Sequence, residues 1–139
     1  MHPYKHAAAT PDKAAYIMAS TGETVTFAQL ESRANQGAHL LRSLGLRQGD
    51  AMAVMMDNSA RYLELMWAAE RIGIYTTCIS SKLSPAEAEY IIRDGDCRVL
   101  VMSAGTGGCA AALLPLVQDL ARFMVDGIAD GYDLSLIHI

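Results

Sequence analysis

From residue 27 to residue 126 this chain alternates between short apolar runs and helical stripes, and that rhythm limits its fold more than any other feature. AMAVMM (51–56), IYTTCIS (74–80), RVLVMS (98–103) and RFMVD (122–126) read as strands. Stretches with apolar residues at three- and four-residue steps read as helices over 27–44, 60–72, 85–94 and 108–121. Near-continuous apolar strands are usually covered on both faces, as in parallel sheets. Strand and helix in strict alternation imply βαβ crossovers. The expected class is therefore α/β: β-α units forming a mostly parallel sheet flanked by helices. AAYIMA (14–19) and ETVTF (23–27), on either side of Ser20-Thr21-Gly22, predict a β-hairpin before it.

The element boundaries carry their own chemistry. Thr26 and Gln29 have the spacing of a capping box, in which each side chain satisfies the other's backbone amide. The helix they open carries Leu30, Ala34, Gly37, Ala38, Leu40, Leu41 and Leu44 on one stripe, and Gly45 ends it. Asp57, Asn58 and Ser59 offer caps for the next helix. Ser84-Pro85-x-Glu87 is a third start signal, with proline at the first helical position and acid in the first turn. Glu87, Glu89, Arg93 and Asp94 read as a solvated face with a Glu89–Arg93 pair.

Composition excludes several functions. The 139 residues suffice for one modest domain, and 52% of them are apolar. No apolar run approaches the roughly 20 residues needed to cross a bilayer, and MHPYKHAAATPDK lacks the apolar core of a secretory signal. Cys78, Cys97 and Cys109 have neither paired nor metal-ligand spacing, which fits a reduced, cytoplasmic setting. The net charge of -4 gives no footprint for nucleic acid. Histidines at 2, 6, 39 and 138 have no spacing for a metal site.

One stretch invites a chemical reading. VMSAGTGGCAAA (101–112) places Gly105-x-Gly107-x-x-Ala110 between a strand and a helix, and Asp126 closes the next strand. Dinucleotide-binding folds use glycines there to admit pyrophosphate, and a later acid to hold a ribose hydroxyl. Three strands precede the motif here, and Pro115 loosens the helix that would grip phosphate. No lysine follows Gly107 or Gly108, so a phosphate loop of the GK[ST] type fails. A plain strand-to-helix turn is the simpler reading. His39 reads as part of a packed or half-exposed helix face, Cys78 as a small hydrophobe on a buried strand, and Met52, Met55 and Met56 as core. No catalytic, cofactor-binding or metal-binding residue can be assigned.

As a string the chain says more. TPDKAA (10–15), VTFAQLESRAN (25–35), LRSLGLRQGDAMAVMMDN (41–58) and WAAERIGIYTTCISSKLSPAEAEYII (67–92) stand in the order found in adenylate-forming enzymes. Over about residues 8–126 the chain resembles the N-terminal stretch of the AMP-dependent synthetase/ligase superfamily, acyl-CoA synthetase type. Its Ile79-Ser80-Ser81-Lys82-Leu83 run leans towards the fatty-acid–CoA ligases. The resemblance implies a parent enzyme that joins a carboxylic acid to ATP as an acyl-adenylate, assisted by Mg2+, and passes the acyl group to coenzyme A. It also implies that the phosphate loop and catalytic lysine lie beyond residue 126. The SAGTGG loop is then an ordinary βαβ step, and the fragment itself binds no cofactor and is inactive.

Two expectations concern the chain's end. Residues 1–131 read as the N-terminal portion of a larger domain, and 132–139, ending in LSLIHI, as a non-native tail like an adapter translation. A genuine β-tail through Leu134, Leu136, Ile137 and Ile139 is the alternative. An incomplete sheet would keep an unpaired edge, which invites aggregation or a molten state. A small dinucleotide-binding module and a catalytically silent interaction domain stand as competing functions.

Overall fold

The computed structural model describes residues 2–134. A short helix α1 (Pro3–Ala9) leads into strands β1 (Ala14–Ile17) and β2 (Thr24–Thr26), which pair antiparallel as the expected hairpin. Then follow α2 (Phe27–Ser43), β3 (Ala51–Met55), α3 (Ala60–Arg71), β4 (Tyr75–Cys78), α4 (Pro85–Asp94), β5 (Cys97–Ser103), α5 (Gly107–Leu113), β6 (Ala121–Val125) and β7 (Asp133–Leu134). The last five strands form one parallel sheet in the order β4-β3-β5-β6-β7.

Both faces of that sheet are closed. Met52, Val54, Val99, Val101, Phe123 and Val125 meet Ala38, Leu41, Leu65 and Ala68 of α2 and α3, and Ile72 just after α3. On the other side Ala53, Met55, Leu100, Met102 and Met124 meet Ala88, Ile92, Ala110 and Leu113 of α4 and α5. Every residue of β3 is buried, as its unbroken apolar run predicts. At the α2–α3 crossing Gly37 is obligatory, because a Cβ there would lie 2.8 Å from the Ala68 Cβ.

The start signals work as spaced. Thr26 Oγ1 accepts the Gln29 amide at 3.2 Å while Gln29 Oε1 accepts the Thr26 amide at 3.0 Å. Ser84 and Glu87 form the same reciprocal box at α4. Ser59 is the cap chosen for α3.

Two expectations are corrected. The helix placed over 108–121 is only α5, followed by a 3-10 turn at Leu114–Leu116 and a loop. Pro115 has no amide to donate and its ring crowds the preceding turn, so the helix stops there. Arg122 then holds the loop, its guanidinium donating to the carbonyls of Val117, Gln118 and Leu120 at 2.9, 3.0 and 2.8 Å. Cys78 is exposed, because β4 is an edge strand rather than a buried one. The expected Glu89–Arg93 pair is present at 4.0 Å, and Arg93 also grips Asp119 with both terminal nitrogens, at 2.7 and 2.8 Å. Of the span expected to be a tail, Asp133 and Leu134 form β7, and 135–139 lie outside the described residues.

The hairpin is tied down by a buried polar cluster. Glu64 of α3 is fully buried, with Arg33 of α2 at 2.8 Å and Arg61 at 3.1 Å. Tyr16 of β1 donates to the Ala60 carbonyl at 2.6 Å, and Arg61 also reaches Glu23 at 2.6 Å. Burial pushes the Glu64 carboxyl up, against the pull of Arg33 and Arg61.

Candidate functional site

Open parallel sheets bind ligands beyond the carboxyl ends of their strands, where the strand order reverses. Here the chain runs from β3 out to β4, then crosses back past β3 to β5. The helices of those two crossovers, α3 and α4, lie on opposite faces. The reversal therefore falls between β3 and β5. Three loops meet above it: Asp57–Ser59 after β3, Ser103–Thr106 after β5, and Asp126–Gly127 after β6.

These loops are bonded mainly to one another. The Asp57 amide donates to Ser103 Oγ at 3.0 Å. Thr106 Oγ1 donates to the Ser103 carbonyl at 2.7 Å and accepts the Ser103 amide at 3.3 Å, which folds SAGT into a 3-10 turn. Ser59 Oγ donates to Asp126 Oδ2 at 2.7 Å and accepts the Arg61 amide at 3.1 Å. Asp126 sits at φ 59, a left-handed conformation that aspartate tolerates better than most residues.

The residues singled out in the sequence are now placed. A Cβ on Gly105 would overlap Asp57 Oδ2, the end of an exposed side chain that would have to turn aside. Gly107 opens α5, and a Cβ on it would meet nothing within 4 Å. Ala110 is buried under Tyr132, whose hydroxyl donates to its carbonyl at 2.9 Å. Asp126 is brought to the same rim but is bonded across it to Ser59. His39 is exposed on α2. The reciprocal Ser103–Thr106 bonds have the same three-residue spacing as the helix caps, whereas the Asp57–Gly105 contact has no spacing signal.

ATP, Mg2+ and coenzyme A can be tested against this rim, and its residues do not fit them. The Gly107 amide is already spent on the Ala104 carbonyl, and the Thr106 hydroxyl on Ser103. Among the described residues there is no group of three or more His, Cys, Asp or Glu that could hold a metal ion. No helix among them is long and apolar enough to cross a membrane. The rim can bind its own loops together; no step of a reaction is assigned to it.

Known proteins supply what the rim does not. The family model described as AMP-binding enzyme matches residues 4–130. Long-chain-fatty-acid–CoA ligase FadD13 of Mycobacterium tuberculosis is 31% identical over 100 residues, 72% of this chain and 20% of its own. The 3-oxocholest-4-en-26-oate–CoA ligase of Rhodococcus rhodochrous is 31% identical over 118 residues, 85% of this chain and 21% of its own. Among solved structures, the anthranilate CoA ligase AuaEII in complex with anthranoyl-AMP superposes with a TM-score of 0.84 at 25% identity, covering 96% of this chain and 26% of that one. The N-terminal domain of FACL13 from Mycobacterium tuberculosis gives 0.75 at 29% identity, covering 80% and 28%. The chain thus spans about a fifth of the length of these curated relatives. With a match that runs almost from end to end and a fold shared with CoA ligases, the chain belongs to the AMP-binding enzyme family.

Proposed function

We propose that this chain is the N-terminal part of a cytoplasmic, ATP-dependent acyl-CoA synthetase whose acid substrate is a fatty acid. The parent converts the acid and ATP to an acyl-adenylate with Mg2+ present, then transfers the acyl group to coenzyme A. The family match over residues 4–130, within a chain only a fifth as long as its relatives, carries this reading. The Ile79–Leu83 run and the relation to a long-chain-fatty-acid–CoA ligase support the acyl class.

On this reading the present residues are scaffold. Catalysis of adenylate transfer needs lysine, backbone amides and a metal converging on phosphate, and the three loops of the described rim carry no lysine. The chain itself is inactive. Carboxylate-dependent exchange of labelled pyrophosphate into ATP tests both halves. The protein encoded by the full source gene should exchange with a fatty acid present, and the 139-residue chain should not. Exchange by the short chain, or none by the full product with any carboxylic acid, would sink the proposal.

A further inference from the structure

Three consecutive residues at the start of α3 are each bonded to a distant part of the chain. Ser59 Oγ donates to Asp126 Oδ2 at 2.7 Å, across 67 residues. The Ala60 carbonyl accepts the Tyr16 hydroxyl at 2.6 Å, across 44 residues. The Arg61 guanidinium donates to Glu23 Oε1 at 2.6 Å, across 38 residues. Ser59 thus holds the loop after β6, on the rim at the carboxyl ends of the strands, while Ala60 and Arg61 hold the hairpin. The hairpin and the rim have no ladder in common, because β1 and β2 form a sheet of their own.

The first turn of a helix is where it opens most easily, since its amides lack partners within the helix. Here Ser59 Oγ supplies one by accepting the Arg61 amide at 3.1 Å. The second turn is fixed from within. Glu64 is fully buried and takes Arg33 of α2 at 2.8 Å, with Arg61 at 3.1 Å on its other oxygen. Leu65, Ala68 and Ala69 beyond it are packed in the core under the sheet. Ala60 is packed elsewhere, in a small cluster with Val25 of the hairpin and Leu30 of α2. The part of α3 that can open without disturbing the main core is therefore its first turn.

The bonds on that turn depend on one another. While it is formed, all of them are within reach. When it opens, Ser59 lets go of Asp126 as Ala60 and Arg61 let go of Tyr16 and Glu23. The hairpin and the rim therefore bias one two-state element, and such an element carries coupling between separated places. We infer that the first turn of α3 is a joint that couples docking of the hairpin to closure of the rim. Whatever grips or releases the hairpin then tightens or loosens the loops where open sheets take their ligands.

Hydrogen exchange of the 139-residue chain, read amide by amide, tests this, because coupling must act in both directions. Tyr16→Phe removes a bond on the hairpin side. It should speed exchange at Asp57, whose amide donates to Ser103 Oγ on the rim. Asp126→Gly removes the bond on the rim side, and glycine accepts the left-handed φ of 59 there. It should speed exchange at Met18, whose amide donates to the Glu23 carbonyl within the hairpin. Each cross effect should be about three- to tenfold, the size of one lost hydrogen bond. Glu87, the capped amide at the start of α4, reports general loosening and should exchange as in wild type. Acceleration confined to the substituted side, or an equal acceleration at Glu87, overturns the inference. Should Tyr16→Phe unfold the chain, Glu23→Ala takes its place, since it removes only the exposed bond to Arg61. It should speed Asp57 in the same way, and an unchanged rate there refutes the joint.

Discussion

At the scale of single residues, the rim above the sheet shows why a familiar glycine spacing is a poor guide to function. Gly105 stands where a phosphate-binding glycine would, yet the atom that needs its missing side chain is Asp57 Oδ2. The physical demand is steric and local. Gly105→Ala should therefore cost about 1 kcal/mol, since the exposed Asp57 side chain must turn aside. The same change in an Asp57→Ala background should cost much less, because the colliding carboxylate is gone. Urea denaturation of the four proteins of this double-mutant cycle measures the coupling. A penalty that is the same in both backgrounds would show that Asp57 is not what the glycine accommodates. Asp126 shows the same thing from the acid's side: what its carboxylate binds is Ser59, the cap of α3. Nothing in the linear spacing could distinguish that partner from a ribose, since Ser59 and Asp126 are 67 residues apart.

Among elements, legibility follows the range of the interactions involved. The starts of α2 and α4 are readable because a capping box is complete within four residues, Thr26 to Gln29 and Ser84 to Glu87. Ser84→Ala should accordingly cost about 1 kcal/mol of stability, measured by denaturant melting. The length of α5 is not readable in the same way, although Pro115 stands in plain view, because alanines and leucines continue the helical stripe around it. The tie from α4 to the loop before β6 is invisible in the sequence, since Arg93 and Asp119 are 26 residues apart. That pair has a testable pH signature. Arg93 holds the Asp119 carboxyl down from 3.8 to about 2. A carboxyl whose folded value is depressed stabilises fully above its unfolded value and loses that contribution as pH falls through the folded one. Acid titration of Arg93→Ala against wild type should thus show a stability difference at pH 5 that shrinks between about pH 4 and 2. A gap that stays constant to pH 2 would assign it to packing alone. Helix α3 has its own keystone in Glu64, which no spacing in the sequence sets apart from the other polar residues of that helix. Glu64→Ala strands Arg33 and Arg61 without their buried partner and should cost about 3–5 kcal/mol. Glu64→Gln, which keeps the shape and an acceptor oxygen, should cost well under half of that in the same melts.

For the whole molecule, an incomplete sheet raises the question of whether the chain holds together by itself. From the sequence, an unpaired edge implies aggregation or a molten state. The structure separates those outcomes, because the sheet's faces and its edges differ. Both faces are sealed: Met52, Val54, Val99 and Val101 are at most 2% exposed on one side, and Met55, Leu100, Met102 and Met124 at most 1% on the other. A core buried on both faces resists melting as a unit. Heating a dilute solution should therefore give one cooperative transition, with circular dichroism and Trp67 fluorescence changing together. Non-coincident probes or a broad, shallow melt in dilute solution would instead mean that the two sealed faces are not enough, and that the rest of the parent domain is needed to fold this part.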